Sequence, residues 1–142
     1  SIRSVRMSSG TMARFVAPGS LTGGRYGLFR WDMPARAAGA GAHFHRTFSE
    51  SFYVLDGTVS LFNGQDWGLA EAGDFLYVPE GGIHDFRNDA DAPASMLILF
   101  APGVAREAYF EELARIAATG RAMTDGDWAE LYARYDQTMV DA

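Results

Sequence analysis

From residue 43 to residue 101 the chain is cut by turn signals into runs of three to eight residues, a spacing that leaves room for little except short strands. Asp56-Gly57 and Asn63-Gly64 are hairpin dipeptides, Gly73-Asp74 and Glu80-Gly81-Gly82 mark further reversals, and residues 89–93 form a turn ending in proline. The runs between them are 43–45, 51–55, 58–62, 67–70, 75–79, 84–88 and 94–101. Short strands at this frequency predict an all-β fold, an antiparallel barrel or sandwich. Upstream, Phe29, Trp31 and Met33 alternate as in a half-buried strand over 26–33, Pro34 ends it, and residues 35–42 are a small-residue loop. Residues 1–22, polar and punctuated by Gly and Ser, read as an arm or an edge strand.

After Gly103 the apolar period changes to that of a helix. Phe110, Leu113, Ala114 and Ala117 share one face, with Glu111, Glu112 and Arg115 outside. A second helix carries Trp128, Leu131, Tyr132 and Tyr135, with the Asp125-Gly126-Asp127 segment as its cap. The expected layout is one domain over 1–142: an N-terminal arm at 1–22, a β-barrel at 25–101, and helices at 104–138 appended to it. A net charge of −6 argues against nucleic-acid and anionic-membrane partners. The absence of cysteine excludes disulfides, thiolate ligands and a cysteine nucleophile, and suits a cytoplasmic protein. No run approaches the roughly 20 apolar residues of a spanning helix, and Ser1-Ile2-Arg3-Ser4 leads into no apolar signal core.

All three histidines fall in two spaced motifs. The first is His43-Phe44-His45, then Glu50, then Gly57; the second is Gly73, Pro79-Glu80-Gly81, His84 and Asn88. Alternation along a strand puts His43 and His45 on one face. The next four residues allow a turn that returns Glu50 beside them, and the Pro79 bend aims His84 at the same place. His-x-His alone is often an ordinary polar pair on a strand, a lone His84 a satisfied structural histidine, and a lone Glu50 a surface carboxylate. Together, three imidazoles and a carboxylate are a ligand set for one divalent transition-metal ion. Iron, manganese, nickel, copper, cobalt and zinc all accept these ligands. The set leaves one to three coordination positions open and a net charge of +1, which favours anionic ligands such as an enolate, phenolate or carboxylate.

The stretch 43–57 resembles the first cupin motif, and 73–88 resembles the second at every defining position. The first departs at its leading glycine, where this chain has Ala37, with Gly39 and Gly41 nearby. The resemblance spans about 25–101, and the helices resemble those of small single-domain bacterial quercetinase-like cupins. It implies a jelly-roll barrel, a homodimer, and a metal held by His43, His45, Glu50 and His84. It also implies a dioxygenase acting on an aromatic or enolic small molecule, with dioxygen as co-substrate and Glu50 shifting off the metal as catalytic base. The same ligands serve non-oxidative cyclases, isomerases and decarboxylases, and a cupin that binds a small ligand without turnover is the third reading.

Phe86 shares a face with His84, so it is expected to line the substrate pocket, with Phe29, Trp31 and Met33 lining it from a neighbouring strand. Arg46 and Phe48 are expected at its mouth. For each aromatic the competing reading is ordinary core packing. The run 95–100 is apolar on both faces and must be covered twice, by the barrel interior and by the helices or a second subunit.

Overall fold

A computed structural model of the chain describes residues 3–103 and 106–141. Ser1 and Ile2 of the expected arm, Val104 and Ala105 of the expected helical segment, and Ala142 lie outside the described residues.

Strict alternation builds the inner wall. On β3 (Gly27–Met33), Phe29, Trp31 and Met33 are buried; on β10 (Ala94–Ala101), so are Ala94, Met96, Ile98 and Phe100. The two strands pair antiparallel, Trp31 opposite Met96 and Phe29 opposite Ile98. On β5 (Ser49–Asp56) the inward residues are Glu50, Phe52 and Val54, set against Phe100, Ile98 and Met96. β8 (Phe75–Val78) flanks β5 on its other side. The segment read as an arm or an edge strand is two strands, β1 (Ser4–Arg6), at the sheet edge, and β2 (Met12–Ala17), followed by a short helix α1 (Gly19–Thr22). They extend this sheet to six strands in the order β1-β2-β3-β10-β5-β8.

A three-stranded sheet consists of β7 (Trp67–Glu71), β6 (Thr58–Phe62) and β9 (Asp85–Arg87), in that order. Its buried Val59, Leu61 and Phe86 join the same core as Phe52 and Val54. The strands do not form one closed hydrogen-bonded barrel; they fall into three sheets. Gly57, at φ +73, links β5 to β6, where a Cβ would sit 2.6 Å from the Pro93 carbonyl oxygen; the two strands do not pair as the expected hairpin, because the chain passes there from one sheet to the other.

The helices are α2 (Arg106–Thr119) and α3 (Asp125–Arg134). The cap of α3 is Thr124, one residue before the expected segment: its hydroxyl takes the Asp127 N–H while Asp127 returns a bond to the Thr124 N–H. The helices are not an appendage. Phe110 of α2 packs against Phe29 at 5.0 Å and Trp31 at 4.9 Å, inside the main core. The tail then returns to the sheets, where β11 (Thr138–Met139) pairs with β4 (His43–Phe44).

Candidate metal centre

Four side chains from three strand regions converge on one point. β4 carries His43, and His45 follows it directly; β5 brings Glu50 on its inward face; His84 stands just before β9. A two-way backbone bridge between His43 and His84, with N···O distances of 3.0 and 2.9 Å, locks the two motifs together. All four residues are buried, and one ligand atom from each lies within 4.8 Å of the other three. Ligands on opposite sides of a zinc-like ion stand about 4.4 Å apart at most, so only a small inward adjustment separates this arrangement from a coordination shell.

The second contact of each ring defines its chemistry. His43 Nδ1 meets the Gly41 carbonyl at 2.6 Å, His84 Nδ1 meets the Gly82 carbonyl at 2.9 Å, and His45 Nδ1 meets the Asp136 carbonyl at 2.8 Å. A carbonyl only accepts, so each Nδ1 carries the proton, and in a neutral ring Nε2 presents its lone pair. His45 Nε2 and His84 Nε2 then face Glu50 Oε1 at 3.0 and 2.9 Å. Lone pairs held this close to a buried carboxylate repel unless a positive charge sits among them. The donor set therefore demands either a proton on an imidazole or a cation, and it fits a divalent metal ion.

The titration behaviour follows from this crowding. Burial drives the His43 pKa down to about 3, helped by neighbouring His84. For His84, burial opposes the charged ring, but the Glu50 carboxylate more than offsets it and the pKa lies above the usual imidazole value. Burial likewise disfavours ionised Glu50, yet His84 and His45 together hold its pKa below the usual carboxylate range.

A cavity of about 430 Å³ opens beside the cluster, with His43, His45 and Glu50 in its wall. Trp31 and Phe86 line it as the strand parity predicts. Phe29 and Met33 do not: Phe29 is enclosed edge-on by the Phe15, Phe100 and Phe110 rings, and Met33, opposite Ala94 at the far end of β3, is fully buried in the core. Strand parity gives the face, but the helix decides which part of it stays open. Arg46 and Phe48 are not at the mouth either. Arg46 lies on the surface over Phe44, and Phe48 is buried, stacked on the His45 ring at 4.2 Å.

Part of the remaining wall, beside residues 7–9, the 38–40 loop and Ile98 and Phe100 of β10, comes from segments read as an appendage: Arg106, Tyr109 and Leu113 of α2, Trp128 and Tyr132 of α3, and Gln137. The sequence carries their signal as two apolar-aromatic helix faces, which it offers as one cover for the 95–100 strand and not as a cavity wall. Ala37, in place of the leading glycine, is buried, and its carbonyl takes the Asn88 N–H at 2.9 Å. Gly39 meets the close-approach requirement instead, since a Cβ there would fall 1.9 Å from the Phe86 carbonyl oxygen. Asn88 is a structural pin, its amide bonding the Pro34 and Ala92 carbonyls at 3.0 and 2.9 Å.

Comparison with known proteins bears on the fold and the family. Quercetin 2,3-dioxygenase from Bacillus subtilis (strain 168) is 35% identical over 63 residues, covering 44% of this chain and 18% of that enzyme, so the match spans less than a fifth of the relative. A sugar phosphate isomerase of the cupin superfamily from Silicibacter pomeroyi superposes with a TM-score of 0.63 at 23% identity, over 71% of each chain. A predicted oxalate decarboxylase from Thermotoga maritima gives 0.63 at 16% identity, over 72% of this chain and 92% of that one. These likenesses carry the jelly-roll fold. A family model described as a cupin domain matches residues 29–100, about half of the sequence, and the chain belongs to that family.

Proposed function

We propose that this chain is a metal-dependent cupin enzyme, a dioxygenase acting on an aromatic or enolic small molecule. One divalent transition-metal ion is held by His43, His45, Glu50 and His84. The observation that carries this reading is the convergence of three imidazoles, each with Nδ1 against a backbone carbonyl, and a carboxylate beside an aromatic cavity. When bound, the ion supplies a Lewis-acidic centre with open coordination positions. The chain's own residues do the rest. Trp31 and Phe86 exclude water and orient a planar substrate. Glu50, in the cavity wall, accepts the substrate proton as catalytic base.

The test is oxygen uptake by protein loaded in turn with iron, manganese, nickel, copper, cobalt and zinc, across a panel of phenols and enols including flavonols. Oxygen consumption matched to substrate loss supports the dioxygenase. Substrate loss without oxygen uptake replaces it with a non-oxidative isomerase, decarboxylase or cyclase. Saturable binding without turnover replaces both with a ligand-binding cupin.

We also propose a cytoplasmic homodimer. Among the described residues no helix is long and apolar enough to cross a membrane. The outer face of the six-stranded sheet sets Leu97 beside Tyr53, Tyr53 beside Phe75, and Ser51 between Leu99 and Tyr77. Tyr53, Phe75 and Tyr77 are all exposed, and a second copy of the chain is the occupant that would cover them.

A further inference from the structure

Arg106, the first residue of α2, is the largest fully buried side chain of the described residues and stands in the cavity wall. Its guanidinium lies 4.7 Å from the Phe48 ring centroid and 4.5 Å from that of Tyr109. Among the described residues it makes one hydrogen bond, from Nη2 to the Tyr135 carbonyl, and its buried Nε has no partner. Among the described residues no carboxylate lies within 4 Å of it; their ion pairs involve other arginines and the histidines. Aromatic faces stabilise a cation but do not satisfy its N–H donors. A buried, unpaired guanidinium lowers stability, and an apolar side chain of similar length would fill the same space. If Arg106 only tied α2 to the Tyr135 turn, one carbonyl contact would be a poor return for burying a full charge.

We propose that Arg106 anchors an anionic oxygen of the ligand, a carboxylate or a deprotonated phenol, whose aromatic body lies against Trp31, Phe86, Trp128 and Tyr132. The planar fork of guanidinium donors matches a carboxylate edge-on, and the enclosed wall strengthens that pairing. This deepens the function proposed above by assigning the substrate's charge, and it requires no particular metal.

The experiment uses the full chain, zinc-loaded and again after chelation, with benzoate and its neutral isostere benzamide as probes in titration calorimetry. Wild-type protein is expected to prefer benzoate by about tenfold or more in both forms. Arg106→Met is expected to remove that preference, leave benzamide affinity within about twofold, and melt at or above the wild-type temperature. Arg106→Gln, which keeps a donor for the Tyr135 carbonyl, is expected to lose the preference as well, and it decides the matter if the Met variant does not fold. Equal binding of the two probes by wild type overturns the proposal, as does a preference that survives either substitution. A preference seen only with zinc and untouched by Arg106→Met assigns the anion to the ion and also overturns it. Failure to retain zinc removes the metal reading and leaves the chelated comparison intact.

Discussion

Asp136 is the position where the C-terminal tail controls the first metal motif, and replacing it measures that control. Its carboxylate takes the Arg46 N–H at 2.9 Å, the Thr47 N–H at 2.8 Å and the Thr47 hydroxyl at 2.6 Å, while its own carbonyl takes His45 Nδ1. Burial works against the ionised form, but the bonds from Thr47 and Arg46 prevail and hold the pKa below the usual carboxylate value. The backbone there is left-handed, at φ +54, a conformation that costs alanine about 1 kcal/mol and asparagine less. Each hydrogen bond to the half-exposed carboxylate contributes roughly 0.5–1 kcal/mol after competition with water. Asp136→Ala should therefore cost about 2–3 kcal/mol, a fall of roughly 6–12 °C in a chain of this size. It also frees the 46–47 loop and the carbonyl that orients His45, so zinc affinity should drop by about tenfold or more. Asp136→Asn keeps the backbone conformation and an acceptor oxygen, and should lose less than half as much of each. The assays are thermal unfolding and competition with a chromophoric chelator. Wild-type zinc affinity in the alanine variant would refute the coupling, and equal losses in the two variants would refute the hydrogen-bond account of it.

The remaining predictions concern the ligands and the outer face. His84→Ala should lower zinc affinity by about a hundredfold or more while costing only about 1–3 kcal/mol of metal-free stability, because the backbone bridge to His43 does not need the ring; full metal content in the variant would sink the ligand assignment. Glu50→Gln should cut turnover by about a hundredfold or more with most of the metal retained, and full activity would remove Glu50 as base. Zinc affinity should fall as pH falls through the raised pKa of His84: the ion displaces the proton that Glu50 stabilises there, whereas His43, with a pKa of about 3, stays neutral throughout. Calorimetry near pH 6 in buffers of different ionisation enthalpy reads about one proton released per ion, and an affinity flat from about pH 6 to 8 would contradict the coupling. Phe75→Arg should convert a dimer into a chain of 15.5 kDa by light scattering, and a wild type already at that mass would dismiss the dimer.

What the sequence makes legible here is local. Asp56-Gly57 and Asn63-Gly64 end their strands where the structure ends them, because each glycine takes a left-handed conformation that few residues adopt; only the second closes a hairpin, over 63–66, since β5 and β6 lie in different sheets. His43, His45, Glu50 and His84 are recoverable for the same kind of reason, since strand parity and loop length already aim their side chains. Asp136 and Arg106 are different. Asp136 acts on Arg46 across 90 positions of chain, and Arg106 stands in the wall beside Glu50 only because α2 folds back over β3 and β10. No spacing rule connects such pairs. Phe29 and Trp31 make the point within a single strand: equal parity, yet only Trp31 meets the cavity, because Phe15, Phe100 and Phe110 together enclose Phe29 while Trp31 packs on Phe86 and Phe110, which themselves line the cavity.

The tautomers of the histidines fall between these cases. His43 and His84 each bond a glycine carbonyl two residues earlier, in Gly41-Ala42-His43 and Gly82-Ile83-His84. That contact is written in the local chain: a carbonyl two positions back lies within reach of Nδ1, and holding it commits Nε2 to the centre of the site. His45 has no glycine two residues before it; that position is His43 itself. Its Nδ1 partner is brought instead by the Asp136 carbonyl, from the turn that follows α3. The third imidazole is thus oriented only when the C-terminal segment is docked. This makes the helices part of the ligand set's construction as well as of the cavity wall, and it is why the Asp136 variants should alter metal affinity without touching a ligand.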